Sequence, residues 1–125
     1  MAIFYYSLTG NTKAFAERFA EDGFNSAPID SVIVPEPFVL LTPTYNFGKV
    51  PEEVSDFLTD FSEELQGVIA FGNRNWGEKF ANAGDIIAKE YNVPLLRKIE
   101  LRGTEKDYEV IKEELISWQP RNTSR

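Results

Sequence analysis

Ala2-Ile3-Phe4-Tyr5-Tyr6-Ser7-Leu8-Thr9-Gly10-Asn11-Thr12 is the stretch on which the fold turns. A short unbroken apolar run gives way directly to hydroxyls arranged around a glycine. An apolar run of this length suits a strand covered on both faces, in the middle of a parallel sheet. Beyond it, Phe15, Ala16 and Phe19 share one helical face while Lys13, Glu17 and Glu21 lie outside, which predicts a helix over 12–21. The loop between strand and helix therefore stands at a helix mouth, where backbone N–H groups are free and the dipole is positive. Ser7, Thr9 and Thr12 supply donors, and Gly10 lets the backbone come close to a bound group. A phosphate monoester fits that chemistry. The loop carries no lysine of the GxxxxGK[ST] type and is not GxGxxG. One threonine here would read as an ordinary N-cap; three hydroxyls plus a glycine exceed what a cap needs.

The same alternation continues along the chain. Apolar runs at 38–41 and 68–71 predict two more central strands. The weaker runs at 27–30, with Pro28, and at 95–101, with Arg97, Lys98 and Glu100, predict the two edges. Helical spacing predicts helices over 50–61 (Val50, Val54, Phe57, Leu58, Phe61), 77–91 (Phe80, Ala83, Ile87, Tyr91) and 104–118 (Tyr108, Ile111, Leu115, Trp118). Pro51 suits a first helical turn, and Thr104 with Asp107 forms a capping-box-like pair. Residues 120–125 are polar and expected to fray. The fold class that results is α/β: a single flavodoxin-like three-layer domain over 1–125, with a five-stranded parallel sheet in the order 2-1-3-4-5. One crossover is too short for its usual helix. The gap between the second and third strands admits at most a turn around residues 31–35, against a common minimum of about 10–12 residues.

In such a sheet ligands bind beyond the carboxyl ends of the strands, where the strand order reverses. Three loops meet there: Ser7 to Thr12, then Thr42-Pro43-Thr44-Tyr45-Asn46-Phe47-Gly48, then Gly72-Asn73-Arg74-Asn75-Trp76-Gly77. Tyr45, Phe47 and Trp76 lie just past strand ends and are read as ring-stacking candidates, Trp76 foremost; each taken singly serves equally well as a packing residue. Backbone amides near Asn46 to Gly48 and Gly72 to Asn75 suit the polar edge of a flat heterocycle.

The 125 residues, 42% of them hydrophobic and 14% aromatic, fit one folded domain without a membrane span. There is no cysteine and no histidine, so thiolate, disulfide, iron–sulfur and imidazole chemistry are excluded. Redox work must come from an organic cofactor, and no metal site is expected. A net charge of −7 argues against nucleic acid as a partner. The start of the chain lacks a signal-peptide pattern, so a cytoplasmic setting is expected.

The S-L-T-G-N-T loop resembles the phosphate loop of flavodoxins. T-P-T-Y-N-F-G-K-V-P, G-N-R-N-W-G and the R-G-T of Arg102-Gly103-Thr104 more specifically resemble the NrdI family, over essentially the whole chain. The resemblance implies FMN, with phosphate at Ser7, Leu8, Thr9, Gly10, Asn11 and Thr12. It implies a mobile loop over Thr42 to Gly48 beside the flavin, and contacts to the pyrimidine edge and ring face from Gly72 to Gly77. A role is implied as well, in which the reduced flavin reacts with dioxygen and superoxide passes to the dimanganese small subunit of class Ib ribonucleotide reductase, NrdF. The chemistry would sit on FMN itself, with no catalytic side chain, in a monomer served by a separate flavin-reducing partner.

Charge near the ring separates oxidant delivery from plain electron carriage. The two ring loops contain Lys49 and Arg74 and no acid before Glu52 and Glu78. A cation ~4 Å from the ring is worth up to roughly 4 kcal/mol at an effective dielectric near 20. Arg74 or Lys49 is thus a candidate for stabilising an anionic flavin and holding superoxide; both also read as solvated loop charges or partner contacts. The alternatives are a general flavodoxin electron carrier and a cofactor-free receiver-like module. The latter would want acids where Ser7 and Thr42 stand. A hydrolase lacks both histidine and a GxSxG elbow.

Overall fold

The computed structural model describes residues 1–34, 36–45 and 48–123, with side chains described as far as Trp118. Five parallel strands, β1 (Ala2–Tyr5), β2 (Ser26–Pro28), β3 (Phe38–Pro43), β4 (Leu65–Gly72) and β5 (Leu95–Glu100), pair in the order β2-β1-β3-β4-β5. Four helices, α1 (Asn11–Glu21), α2 (Glu52–Phe61), α3 (Asn82–Tyr91) and α4 (Glu105–Thr123), cover the two faces.

Strand alternation sorts the core into two halves. Ile3, Tyr5, Val39, Leu41, Ile69 and Phe71 face α1 and α4, meeting Phe15, Phe19, Tyr108, Ile111 and Leu115. Ala2, Phe4, Phe38, Leu40 and Val68 face α2 and α3, meeting Val54, Phe57, Leu58 and Ile87. Phe15 packs edge-on against both Phe71 and Tyr108, with centroids 5.4 and 5.7 Å away. Phe15 is 1% exposed, so truncating it to alanine is worth about 3–5 kcal/mol. β1 and β3, buried on both faces, take central places in the sheet and pair side by side. That places the ends of both strands at the centre of one rim.

Local chemistry sets the element boundaries, and several differ from expectation. The second strand is Ser26–Pro28; Ile29–Ser31 turn into a single 3-10 turn, since Pro28 has no N–H to continue a ladder. Among the described residues the crossover to β3 holds no α-helix, in keeping with the short gap. β4 begins at Leu65, with a register shift opposite Phe38 and Val39. Val50 and Pro51 precede α2, whose first turn is held by Val54 and Ser55 N–H groups donating to Pro51 O.

The helix expected over 77–91 is two pieces. A 3-10 segment, Arg74–Lys79, bends at Gly77 with φ +58°, and α3 starts only after Ala81 with φ +50°. Two left-handed residues interrupt what apolar spacing alone reads as continuous. α4 opens as expected: Asp107 N–H donates to Thr104 Oγ1 (3.1 Å) and Thr104 N–H to Asp107 Oδ2 (2.8 Å). Its helical backbone runs on to Thr123, past the expected end at Trp118 and into the tail expected to fray. The proline there does not stop it; Ser124 and Arg125 lie outside the described residues.

Candidate cofactor site at the carboxyl end of the sheet

β1, β3, β4 and β5 all end on one rim, and the loops leaving them enclose an open slot of about 220 Å³. Its walls are Leu8, Thr9, Asn11 and Thr12 from the first loop, Pro43 and Thr44 from the second, and Phe71, Gly72, Asn73 and Trp76 from the third, with Leu101 closing one side. Residues singled out from all three sequence loops thus meet around one space.

The first loop is shaped by its own bonds. Ser7 Oγ accepts the N–H groups of Gly10 (3.0 Å) and Lys13 (3.3 Å), and Gly10 adopts φ +96°. Ser7 therefore caps α1 from a distance rather than lining the slot, and its hydroxyl proton stays available. Gly10 makes the turn, and Ala14 N–H returns to Gly10 O at 3.0 Å. Thr12 is buried at 2% exposure while Thr9 stands exposed. Thr9, Asn11 and Thr12, at the mouth of α1 where backbone amides lack intrahelical partners, line the slot.

The ring-side loops are held from elsewhere in the chain. Thr44 N–H donates to Phe71 O (2.9 Å), and Thr44 Oγ1 accepts Ala83 N–H (3.4 Å). Tyr45 and Lys49 are joined by two backbone bonds of 2.7 Å in an isolated antiparallel bridge. Gly48 has φ +93°, and its carbonyl accepts Asn82 Nδ2 at 2.9 Å. Asn46 and Phe47, both expected at the flavin, lie outside the described residues. Thr42 is fully buried with its hydroxyl donating to Pro43 O, so it supports the loop from below.

Gly72 abuts the start of α3; a Cβ there would stand 2.7 Å from Ala81 N. Leu101 N–H donates to Gly72 O (2.9 Å). Asn73 caps the next turn, its Oδ1 accepting Asn75 N–H (2.9 Å). Asn75 and Gly77 shape this loop without lining the slot. Trp76 and Tyr45 are 45% and 46% exposed, so neither is spent on the core.

Arg74 departs from the expectation of a free cation. Its Nε lies 3.3 Å from Glu100 Oε1, its N–H donates to Glu100 Oε2 (3.3 Å), and its guanidinium sits 4.9 Å over the Phe80 ring. Glu100 comes from the end of β5, so the acid absent from the ring loops arrives through the fold. Lys49 has no ion-pair partner among the described residues. Phe71 and Leu101 were not singled out from sequence. The signal for Leu101 was that β5 ends on the same rim.

The residues fit the expected cofactor. A phosphate would meet the mouth of α1, Thr9 and Thr12 at one end, and a flat ring would meet Trp76, Asn73 and Pro43 at the other. At about 220 Å³ the slot is smaller than the ~300–1,000 Å³ common for ligand pockets, so it would enclose only part of a bound ring.

The NrdI flavodoxin-like family profile matches residues 3–113. Protein NrdI of Macrococcus caseolyticus is 41% identical over 98% of this chain and 97% of its own length. Among solved structures, oxidised flavodoxin 2 from Bacillus cereus superposes with a TM-score of 0.66 at 24% identity, covering 96% of this chain and 97% of that one. A short-chain flavodoxin associated with a non-canonical PDU bacterial microcompartment gives 0.65 at 22% identity, covering 90% of each chain.

Proposed function

The chain belongs to the NrdI flavodoxin-like family and is an FMN-binding flavoprotein, and from that premise we propose that it supplies superoxide to the dimanganese small subunit of class Ib ribonucleotide reductase, NrdF. Bound FMN would supply the redox chemistry, taking electrons from a separate reductase and passing one to dioxygen, so that superoxide would serve tyrosyl-radical generation in the partner.

The protein's own groups have limited and separable roles. The mouth of α1, Thr9 and Thr12 would hold the phosphate. Gly72, Asn73, Trp76, Pro43 and Thr44 would orient the ring. The open slot leaves a ring edge accessible to oxygen and to a docking subunit. Glu100 neutralises Arg74, while Lys49 and Arg102 have no ion-pair partner among the described residues and offer positive charge to an outgoing anion.

The observation that carries the reading is the match of the family over residues 3–113, joined to a slot whose two ends suit phosphate and ring. The test is an anaerobic reductive titration of the FMN-loaded protein, then oxygen addition with manganese-loaded small subunit. A tyrosyl radical that depends on the reduced protein supports superoxide supply. Slow reaction with oxygen and no radical would make it a general flavodoxin electron carrier. A protein that takes up no flavin would return the cofactor-free module to consideration.

A further inference from the structure

A cavity larger than the cofactor slot lies elsewhere among the described residues. A groove of about 610 Å³ lies on the other side of the first loop, between the β1–β2 edge and α2. Its lining includes Tyr6, Ile29, Phe57 and Phe61, with Ile29 and Phe57 nearly buried at the floor. It exists because the crossover from β2 to β3 is one 3-10 turn where a parallel connection usually supplies a helix. The sheet edge on the α2 side is left without its cover. The same crossover leaves Ile33 and Val34 bare, 87% and 79% exposed.

The groove is rimmed by acid. Asp30, Glu53, Asp56 and Asp60 line it, all exposed, against one cation, Lys13. Glu53, Asp56 and Asp60 follow one stripe of α2, where like charges repel. Glu53 accepts the Tyr6 hydroxyl, a bond that pushes the Tyr6 pKa up. Asp30, Asp56 and Asp60 have no Lys or Arg partner among the described residues.

We propose that this groove docks a segment of a partner protein whose aliphatic side chains fill the aromatic floor and whose lysines or arginines meet the acidic rim. The sign of the rim turns away nucleic acid and anionic membrane. From Glu53 to Asp60 the carboxylates extend about 10 Å along the helix axis, a span that suits several cations on a polypeptide rather than one small ammonium. A second copy of this chain is a poor match, because its net charge of −7 sets acid against acid. The inference is independent of the superoxide reading, since the groove and the cofactor slot share no lining residue.

The test uses the FMN-loaded protein and a short fluorescein-labelled leucine–lysine amphipathic peptide. A serine–lysine peptide of equal charge and a leucine–glutamate peptide serve as comparisons. The leucine–lysine peptide is expected to bind, with amide shifts centred on Tyr6, Ile29, Phe57 and Phe61. Asp56→Lys with Asp60→Lys is expected to weaken it by about tenfold or more and to admit the leucine–glutamate peptide instead. FMN affinity should stay unchanged in that variant, which checks that the fold is intact. Phe61→Ser probes the apolar floor separately. Equal binding of the serine–lysine peptide, shifts centred elsewhere, affinity indifferent to the charge reversal, or self-association that buries the groove would each overturn the proposal.

Discussion

At the phosphate end of the slot, the first loop is held by bonds among residues 7 to 14, whereas at the ring end each loop is held by residues far along the chain. Ser7 ties Gly10 and Lys13, and Ala14 returns to Gly10, all within one turn of the strand–helix junction. By contrast Thr44 is tied to Phe71 and Ala83, Gly48 to Asn82, Gly72 to Leu101, and Arg74 to Glu100. A locally bonded loop keeps its shape wherever the strand and helix meet. A loop fixed by distant partners depends on α3 and β5 being in place. The proposed phosphate anchor is therefore intrinsic, while the proposed ring environment is adjustable through residues far along the chain.

The largest effect should come from breaking the ring end alone. Gly72→Val places a side chain against the Ala81 backbone, at a site where even a Cβ would stand 2.7 Å from Ala81 N. Overpacking of this kind costs about 3 kcal/mol in urea denaturation. Flavin that still binds should lose its ring contacts and fluoresce more brightly.

Gly10→Ala breaks the phosphate end instead. No atom lies within 4 Å of the new Cβ, so the cost is the left-handed backbone at φ +96°, about 1–2 kcal/mol. FMN affinity measured by fluorescence titration should fall roughly tenfold as the loop relaxes. If the Gly10 variant keeps full affinity, the loop is not the anchor that the comparison requires.

Trp76→Ala sharpens the assignment at the ring end. Removal of a stacking indole should weaken FMN by about 1 kcal/mol. At 45% exposure the residue should leave apoprotein stability within about 0.5 kcal/mol. Equal losses in apoprotein and holoprotein would mean that Trp76 packs the fold rather than the cofactor.

The smallest effect expected is electrostatic. Glu100→Gln releases the charge of Arg74 toward the ring. An exposed pair is worth roughly 0.5–1 kcal/mol, equivalent to a rise of about 20–40 mV in a one-electron flavin potential. Potentiometry at low and high salt reads this directly, and the rise should shrink with salt. An unchanged potential would show that the pair lies beyond electrostatic reach of the ring.

Most of the fold was legible because burial on both faces writes itself into β1, β3 and β4 as short apolar runs, and the strand order follows from handedness and a central first strand. The short crossover was legible as a count of residues. The break between Gly77 and Asn82 was not, since Phe80, Ala83 and Ile87 keep helical spacing across two left-handed residues. Nor was Glu100 at the rim: in sequence it belongs to an edge strand 26 residues from Arg74, and only strand pairing brings Gly72 level with it.

The sequence by itself determined the α/β class, the strand order and the locally bonded first loop, because each rests on periodicity or on contacts within a few residues. Tertiary structure alone decided that Ser7 caps rather than lines the slot, that Arg74 is neutralised, and that a missing helix opens an acid-rimmed groove beside α2. Those outcomes depend on which distant side chains share a surface, and a linear pattern does not encode the distance between them.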